Sequence, residues 1–329
     1  MTATLTKPAV GLLDFLPVAL FGSVMGLTGL SVAWRLAGTL YGVPAWISAA
    51  IGAIAAIVFV AMACAYLVKA VTSPAIAWAE FHHPIAGNLF GTIFISLLLL
   101  PIVLAPWSLA FARIVWMLGA VGMVVFAWVI VSRWMSDRQL IAHATPAWIV
   151  PVVGLLDMPL ALPSLAFSQM HGVMVLGLAV GLFFAIPLFT LIFSRLVFEA
   201  PMPPPLQPTL MILIAPFSVG FSAYVVTTGQ VDLFAESLFA LTLFMLAVLV
   251  GRLRQAAICC PFRVSWWAIS FPLATCAIAA LRFASAEPGR LADIVAIALL
   301  AFATLAIVVL FARTAFGIAR GELRTLSGP

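Results

Sequence analysis

Charge is scarce in this sequence. Asp, Glu, Lys and Arg make up only 8% of 329 residues, against about 25% in an ordinary soluble domain. So few charges cannot cover a water-facing surface, which excludes a soluble fold. Short segments of strict apolar/polar alternation are also lacking, and with them the signature of a membrane β-barrel. Cysteine is limited to Cys64, Cys259, Cys260 and Cys276, a spacing that gives neither a disulfide framework nor a metal site. No Gly-rich loop leads into Lys-Ser or Lys-Thr, so no nucleotide chemistry is expected. His82, His83, His143 and His171 fall near the ends of apolar runs, and none pairs at mid-depth as haem ligation requires. The expectation is a protein that is not an enzyme, with no cofactor and no metal. It is not expected to bind nucleic acid, despite a net charge of +5.

What the sequence has is apolar residues: 65% of the chain, with a mean hydropathy of +1.27. Ten runs are long enough to cross about 30 Å of hydrocarbon as helices. They lie near 12–35, 46–69, 85–104, 107–132, 146–167, 172–198, 207–228, 233–252, 264–284 and 291–316. The N-terminal "MTATLTKPAVGLLDFLP" leads into an apolar run longer than a signal peptide, and is read as a retained first helix. The Pro-rich "EAPMPPPLQP", 199–208, is a stiff connector rather than a domain linker. The fold class is all-α and integral to the membrane, a single transmembrane domain over 1–329 whose partner is the lipid bilayer.

Lysine and arginine give the orientation. With both termini inside, the inner set is Lys7, Lys69, Arg133, Arg138, Arg195, Arg252, Arg254, Arg263, Arg313, Arg320 and Arg324. The outer set is Arg35, Arg113, Arg282 and Arg290. Eleven against four places the N- and C-termini in the cytoplasm and agrees with an even span number. Proline marks the odd spans: Pro17, Pro101, Pro151, Pro159, Pro163, Pro216 and Pro272, with Pro187 the exception on an even span. A broken hydrogen-bond ladder in lipid needs protein or a hydrated cavity around it. The odd spans are therefore expected to form an inner ring and the even spans an outer, lipid-facing one.

Five segments then carry a resemblance. "SWWAISFPLATCAIAALRFASAEPG", 265–289, resembles the ninth helix of the tellurite-resistance/dicarboxylate transporter family, in Trp266-Trp267-Ala268, Phe271-Pro272 and Arg282. "LPVALFGSVMGLTGL", 16–30, is similar to the first helix of that family, with Pro17, Phe21-Gly22 and Gly26. "EFHHPIAGNLFG", "TPAWIVPVVG" and "APFSVGFSAYVVTTGQVD" resemble the entries or ends of the third, fifth and seventh. The family includes bacterial TehA proteins and plant guard-cell slow anion channels. The resemblance implies five helical hairpins around a central pore, assembled as a homotrimer in a bacterial inner membrane. It implies a mostly apolar pore for small inorganic or organic anions: chloride, nitrate, sulfite, C4-dicarboxylates or tellurite-type species.

It also assigns candidate residues. Phe271 is expected to occlude the pore near mid-membrane, where an apolar constriction blocks ions sterically and by dewetting. Pro272 is expected to bend the wall and aim that ring, leaving the carbonyl of Ala268 unpartnered. Gly22, Phe21 and Pro216 are candidates for the pore lining, Gly22 as the small residue opposite the gate. Arg263 and Arg282 are candidates for the inner and outer anion mouths, where positive charge concentrates counter-ions. Asp157 is the one acid deep in a span and departs from the family pattern; an intramembrane ionisable residue is a functional candidate by default. Two readings follow: an anion channel gated by Phe271, and a proton-coupled transporter that uses Asp157. Glu80 is read as favouring the start of the third helix, and Asp232 as the N-cap of the eighth.

Overall fold

A computed structural model describes residue 11 and residues 13–327. Lys7 lies outside the described residues, as do the side chains of 255–259, Cys259 among them. Ten helical units among the described residues are long and apolar enough to span a membrane: Val18–Tyr41, Ala45–Thr72, Ala86–Leu104, Leu109–Ser136, Pro146–Leu165, His171–Phe198, Pro204–Thr228, Leu233–Arg254, Val264–Ala286 and Arg290–Ala319. The first begins later than the expected 12, because Pro17 supplies an extended N-cap ahead of Val18. Asp232 caps the eighth as expected, its Oδ1 accepting from the amides of Phe234 and Ala235 at 3.0 and 3.1 Å. The Tyr224 hydroxyl donates to Asp232 Oδ2 at 2.6 Å and holds that carboxyl below its ordinary range.

The odd and even spans differ in kind. The most apolar windows of the odd spans are 61–89% buried inside the chain, those of the even spans 17–44%. The inner and outer classes expected from the prolines are thus present. In sequence order, each odd span packs on the next odd span, and the ninth closes on the first. Each odd span also packs on the even span that follows it.

All five odd spans begin as 3₁₀-helix and then change to α-helix. The 3₁₀ stretches are Val18–Phe21, Ala86–Phe90, Pro146–Ile149, Pro204–Ile214 and Val264–Ile269. The even spans are continuous α-helices, and even Pro187 lies inside an unbroken His171–Phe198. Proline explains part of the difference. It removes i→i−4 donors at Pro151, Pro204, Pro205, Pro208, Pro216 and Pro272, and i→i+3 bonding takes over nearby. Pro272 sits in the first turn of the α-helix Ser270–Ala286, directly after the 3₁₀ stretch Val264–Ile269. Below, the end at which the odd spans begin is called proximal, and the other distal.

The seam between the first and ninth spans fixes the position of the candidate gate. Gly26 faces Ser270 so closely that an added Cβ would overlap the serine side chain. At Gly29 it would meet Ala274 Cβ at 2.9 Å and the Phe271 ring at 3.6 Å. Ser270 Oγ donates to Trp267 O at 2.6 Å, with Gly22 O a second acceptor at 3.2 Å across the seam. Gly26→Ala is therefore expected to lower stability by about 1–3 kcal/mol through overpacking. Thermal unfolding in detergent checks it; an unchanged midpoint would show that the seam yields.

Candidate functional site

A cavity of about 430 Å³ lies inside the ring of odd spans. It runs from Glu80, His83 and Arg263 at the proximal end to Met25, Ile95, Asp157, Val219 and Phe271 at its deep end. Every odd span contributes, largely through its 3₁₀ stretch. The walls are apolar, with Val18, Leu89, Val150, Ile212 and Ala268 typical of them. Four hydroxyl side chains line it: Ser265 and Ser327 at the proximal end, each with a buried Oγ that has no hydrogen-bond partner, and Thr92 and Thr209, which both turn to their own backbone. Thr92 Oγ1 donates to Leu89 O at 2.6 Å, and Thr209 Oγ1 to Leu206 O at 2.6 Å.

Phe271 is buried, lines the deep end of this cavity, and rests against Gly29. The glycine beside the ring is thus Gly29. Gly22 does line the cavity, but an added Cβ there would meet only Trp267 O, at 3.8 Å. Pro272 also lines it. Phe21 does not: it is buried edge-on against Phe59 and Tyr66, with centroids at 5.9 and 6.4 Å, toward the second span. Pro216 is also absent from the lining, which passes instead through its neighbours Ala215 and Val219. In spans buried on nearly every face, an apolar residue type carries no sign of the direction it takes, so these two were misplaced.

Asp157 ends the 3₁₀ stretch Gly154–Asp157 of the fifth span. It is 1% exposed and lines the deep end of the cavity, and its Oδ1 is buried without a hydrogen-bond partner. No hydrogen bond or ion pair to its carboxyl occurs among the described residues. The two arginine candidates separate. Arg263 lines the proximal mouth, half-buried. Arg282 lies in the distal half of the ninth span, outside the cavity, with its Nε buried and unpaired. Near it by register on the first span is Arg35, which donates to Ile102 O at 3.1 Å and to Ser164 Oγ at 3.5 Å.

Glu80 does not serve the third span; it serves the first. Its Oε1 accepts from the Val18 amide at 2.8 Å, where the first 3₁₀ stretch begins. Its Oε2 accepts from Lys69 Nζ at 2.6 Å and from the Tyr66 hydroxyl at 2.9 Å. Lys69 Nζ also donates to Leu16 O at 2.6 Å and is 2% exposed. Lys69 is thus not a solvated flank of the second span but one half of a largely buried ion pair that ties the first and second spans to the short helix Pro74–His82 at the proximal mouth. The lysine at the end of an otherwise uncharged helix was the available signal.

The fold and the chamber define a polytopic α-helical membrane protein whose odd spans enclose an apolar cavity lined at its deep end by Phe271. Residues 16–315 match the voltage-dependent anion channel family, and the chain belongs to it. That family is one of channels, not of enzymes. The chain is similar to S-type anion channel SLAH3 of Arabidopsis thaliana, 28% identical over 309 residues, or 91% of this chain and 48% of that protein. It is 24% identical to guard cell S-type anion channel SLAC1 of the same plant, over 91% of this chain and 55% of that protein. It is 26% identical to the tellurite resistance protein TehA homolog of Haemophilus influenzae, over 98% of this chain and 95% of that protein. The chain spans about half the length of these plant relatives and nearly all of the Haemophilus one.

Proposed function

We propose that this protein is an anion channel whose pore follows the axis of the odd-span ring and is shut by Phe271. The observation that carries this reading is the place of that ring: the deep end of an apolar cavity, in a member of an anion channel family. The cavity walls offer no fixed cation at depth. The odd spans all run the same way, so the positive ends of their helix dipoles face the proximal mouth, and Arg263 adds to them. Weak attraction of this kind suits conduction, since an ion must also leave. By the lysine and arginine bias the proximal mouth and both termini are cytoplasmic. The exposed apolar faces of the even spans suit lipid and neighbouring copies in a homotrimer, in a bacterial inner membrane. Candidate anions are chloride, nitrate, sulfite, C4-dicarboxylates and tellurite-type species. Electrical recording of the wild type beside Phe271→Ala tests the channel reading.

Asp157 favours a second reading, a proton-coupled transporter, because a buried carboxyl in a conduit is a natural proton carrier. Proton movement measured with a pH dye in liposomes, under an imposed anion gradient, separates the two. Coupling requires a proton flux that stops in Asp157→Asn. A wild type that carries anions with no accompanying protons is the outcome expected of a channel.

A further inference from the structure

Asp157 poses a problem that the channel reading leaves open: a carboxylate at the deep end of an anion conduit repels what the conduit carries. Its surroundings resolve this. The elements packed on its 3₁₀ stretch come from the third, fourth, fifth, sixth and seventh spans. Their charged or titratable groups are few. Arg113 donates to Leu165 O and Ala166 O, and Arg133 to Phe81 O, toward opposite ends of the fourth span. Tyr224 donates to Asp232. On the sixth span Gly181 and Gly177 lie against Leu156 and Met158. Arg195 is therefore about 20 Å along that helix in one direction, and His171 about 9 Å in the other. In the cavity itself, Glu80, His83 and Arg263 sit at the far, proximal end. No cation is in reach to hold Asp157 ionised.

The hydroxyls of the cavity sharpen the point. Thr92 and Thr209 each have one proton, and both spend it on a carbonyl of their own helix. Neither has a second proton to offer an anion, and the unpartnered hydroxyls of the lining, Ser265 and Ser327, lie at the proximal end. A protonated carboxyl at Asp157 is different, having one O–H donor and no acceptor inside the protein to take it. We infer that Asp157, in its protonated form, is the hydrogen-bond donor that receives a small oxyanion at the deep end of the cavity, just proximal to Phe271. An O–H···O⁻ bond of this kind is short and strong. Asp157 thus selects oxyanions over halide and makes their passage fall as pH rises, because ionisation turns the donor into a repelling charge. This rests on the channel reading and assigns Asp157 a role opposite to coupling: the proton stays while the anion passes.

The test uses the full chain with Phe271→Ala as the conducting parent, in proteoliposomes, with nitrate and chloride fluxes measured between about pH 5 and about pH 9. Asp157→Asn keeps a donor that does not titrate, and Asp157→Leu removes it. In the parent, nitrate flux is expected to fall with rising pH. Asp157→Asn should keep the low-pH nitrate flux and lose the pH dependence. Asp157→Leu should reduce nitrate flux about tenfold, the loss of one hydrogen bond to a charged group, with a smaller effect on chloride. If Asp157→Leu does not fold, the pH profile of Asp157→Asn decides. An Asn variant that titrates like the parent, or a folded Leu variant with unchanged nitrate flux, overturns the inference and leaves the channel reading intact. A parent that passes no anion overturns both.

Discussion

Phe271→Ala should raise anion current by at least about tenfold, the effect of taking about 1.4 kcal/mol from the barrier. Phe271 is the bulky side chain at the deep end of a cavity that every odd span helps to line. Its backbone is held by the first turn of Ser270–Ala286, and its ring leans on Gly29. Truncation to Cβ leaves those supports in place and opens the cross-section. A graded series strengthens the test: Phe271→Leu should fall between wild type and Ala, since the effect is one of size and dewetting. Single-channel recording, or iodide quenching of a trapped dye in liposomes, measures it. Protein that elutes as wild type and shows no increase would remove Phe271 as the gate. Because one side of the ring already faces the cavity, the stability cost should lie below the about 3–5 kcal/mol of a fully packed Phe→Ala.

The second large effect is on folding. Lys69→Met should destabilise the protein by about 3–5 kcal/mol, because it leaves the Glu80 carboxylate buried without its cation. The damage should be local at first. Glu80 also caps the Val18 amide, so a displaced Glu80 frees the start of the first span. Glu80→Gln should be destabilising as well: its one remaining oxygen can accept from Val18, but the amide nitrogen cannot accept from Tyr66, and Lys69, 2% exposed, is left without its counter-charge. Thermal unfolding of the single variants and of the Lys69→Met/Glu80→Gln pair measures the coupling. A double variant less stable than either single would show that the two side chains act separately.

Most of the architecture was open to reading in the sequence, for physical reasons that particular elements illustrate. Span limits such as 264–284, against the observed Val264–Ala286, follow from the length of apolar chain that a bilayer demands. The inner ring followed from proline, because a chain that cannot complete its own ladder has to be surrounded by protein. Phe271 was found through the motif around it, and it lines the deep end of the cavity. Side-chain direction was not legible. In a span with buried residues on nearly every face, period carries no information, so Phe21 was assigned to the lumen when it turns toward the second span. The Gly29 contact and the 3₁₀ stretches were missed for a related reason. A uniformly apolar segment looks the same at three residues per turn as at 3.6. The Lys69–Glu80 pair joins residues 11 apart on two helices, and a single sequence does not show which flank charges turn inward.

The 3₁₀ stretches have one more consequence, for the geometry of Phe271. Residues in 3₁₀-helix advance about 120° and about 2.0 Å each, against about 100° and about 1.5 Å in α-helix. Six residues, Val264–Ile269, precede the helix that carries the ring. Rewinding those six to α geometry would turn Phe271 by about 120° about the axis of the span and draw it about 3 Å toward the proximal mouth. A change of winding in a short coil at the mouth is thus geared to the angular position of a ring several residues away, with no hinge and no unfolding between them.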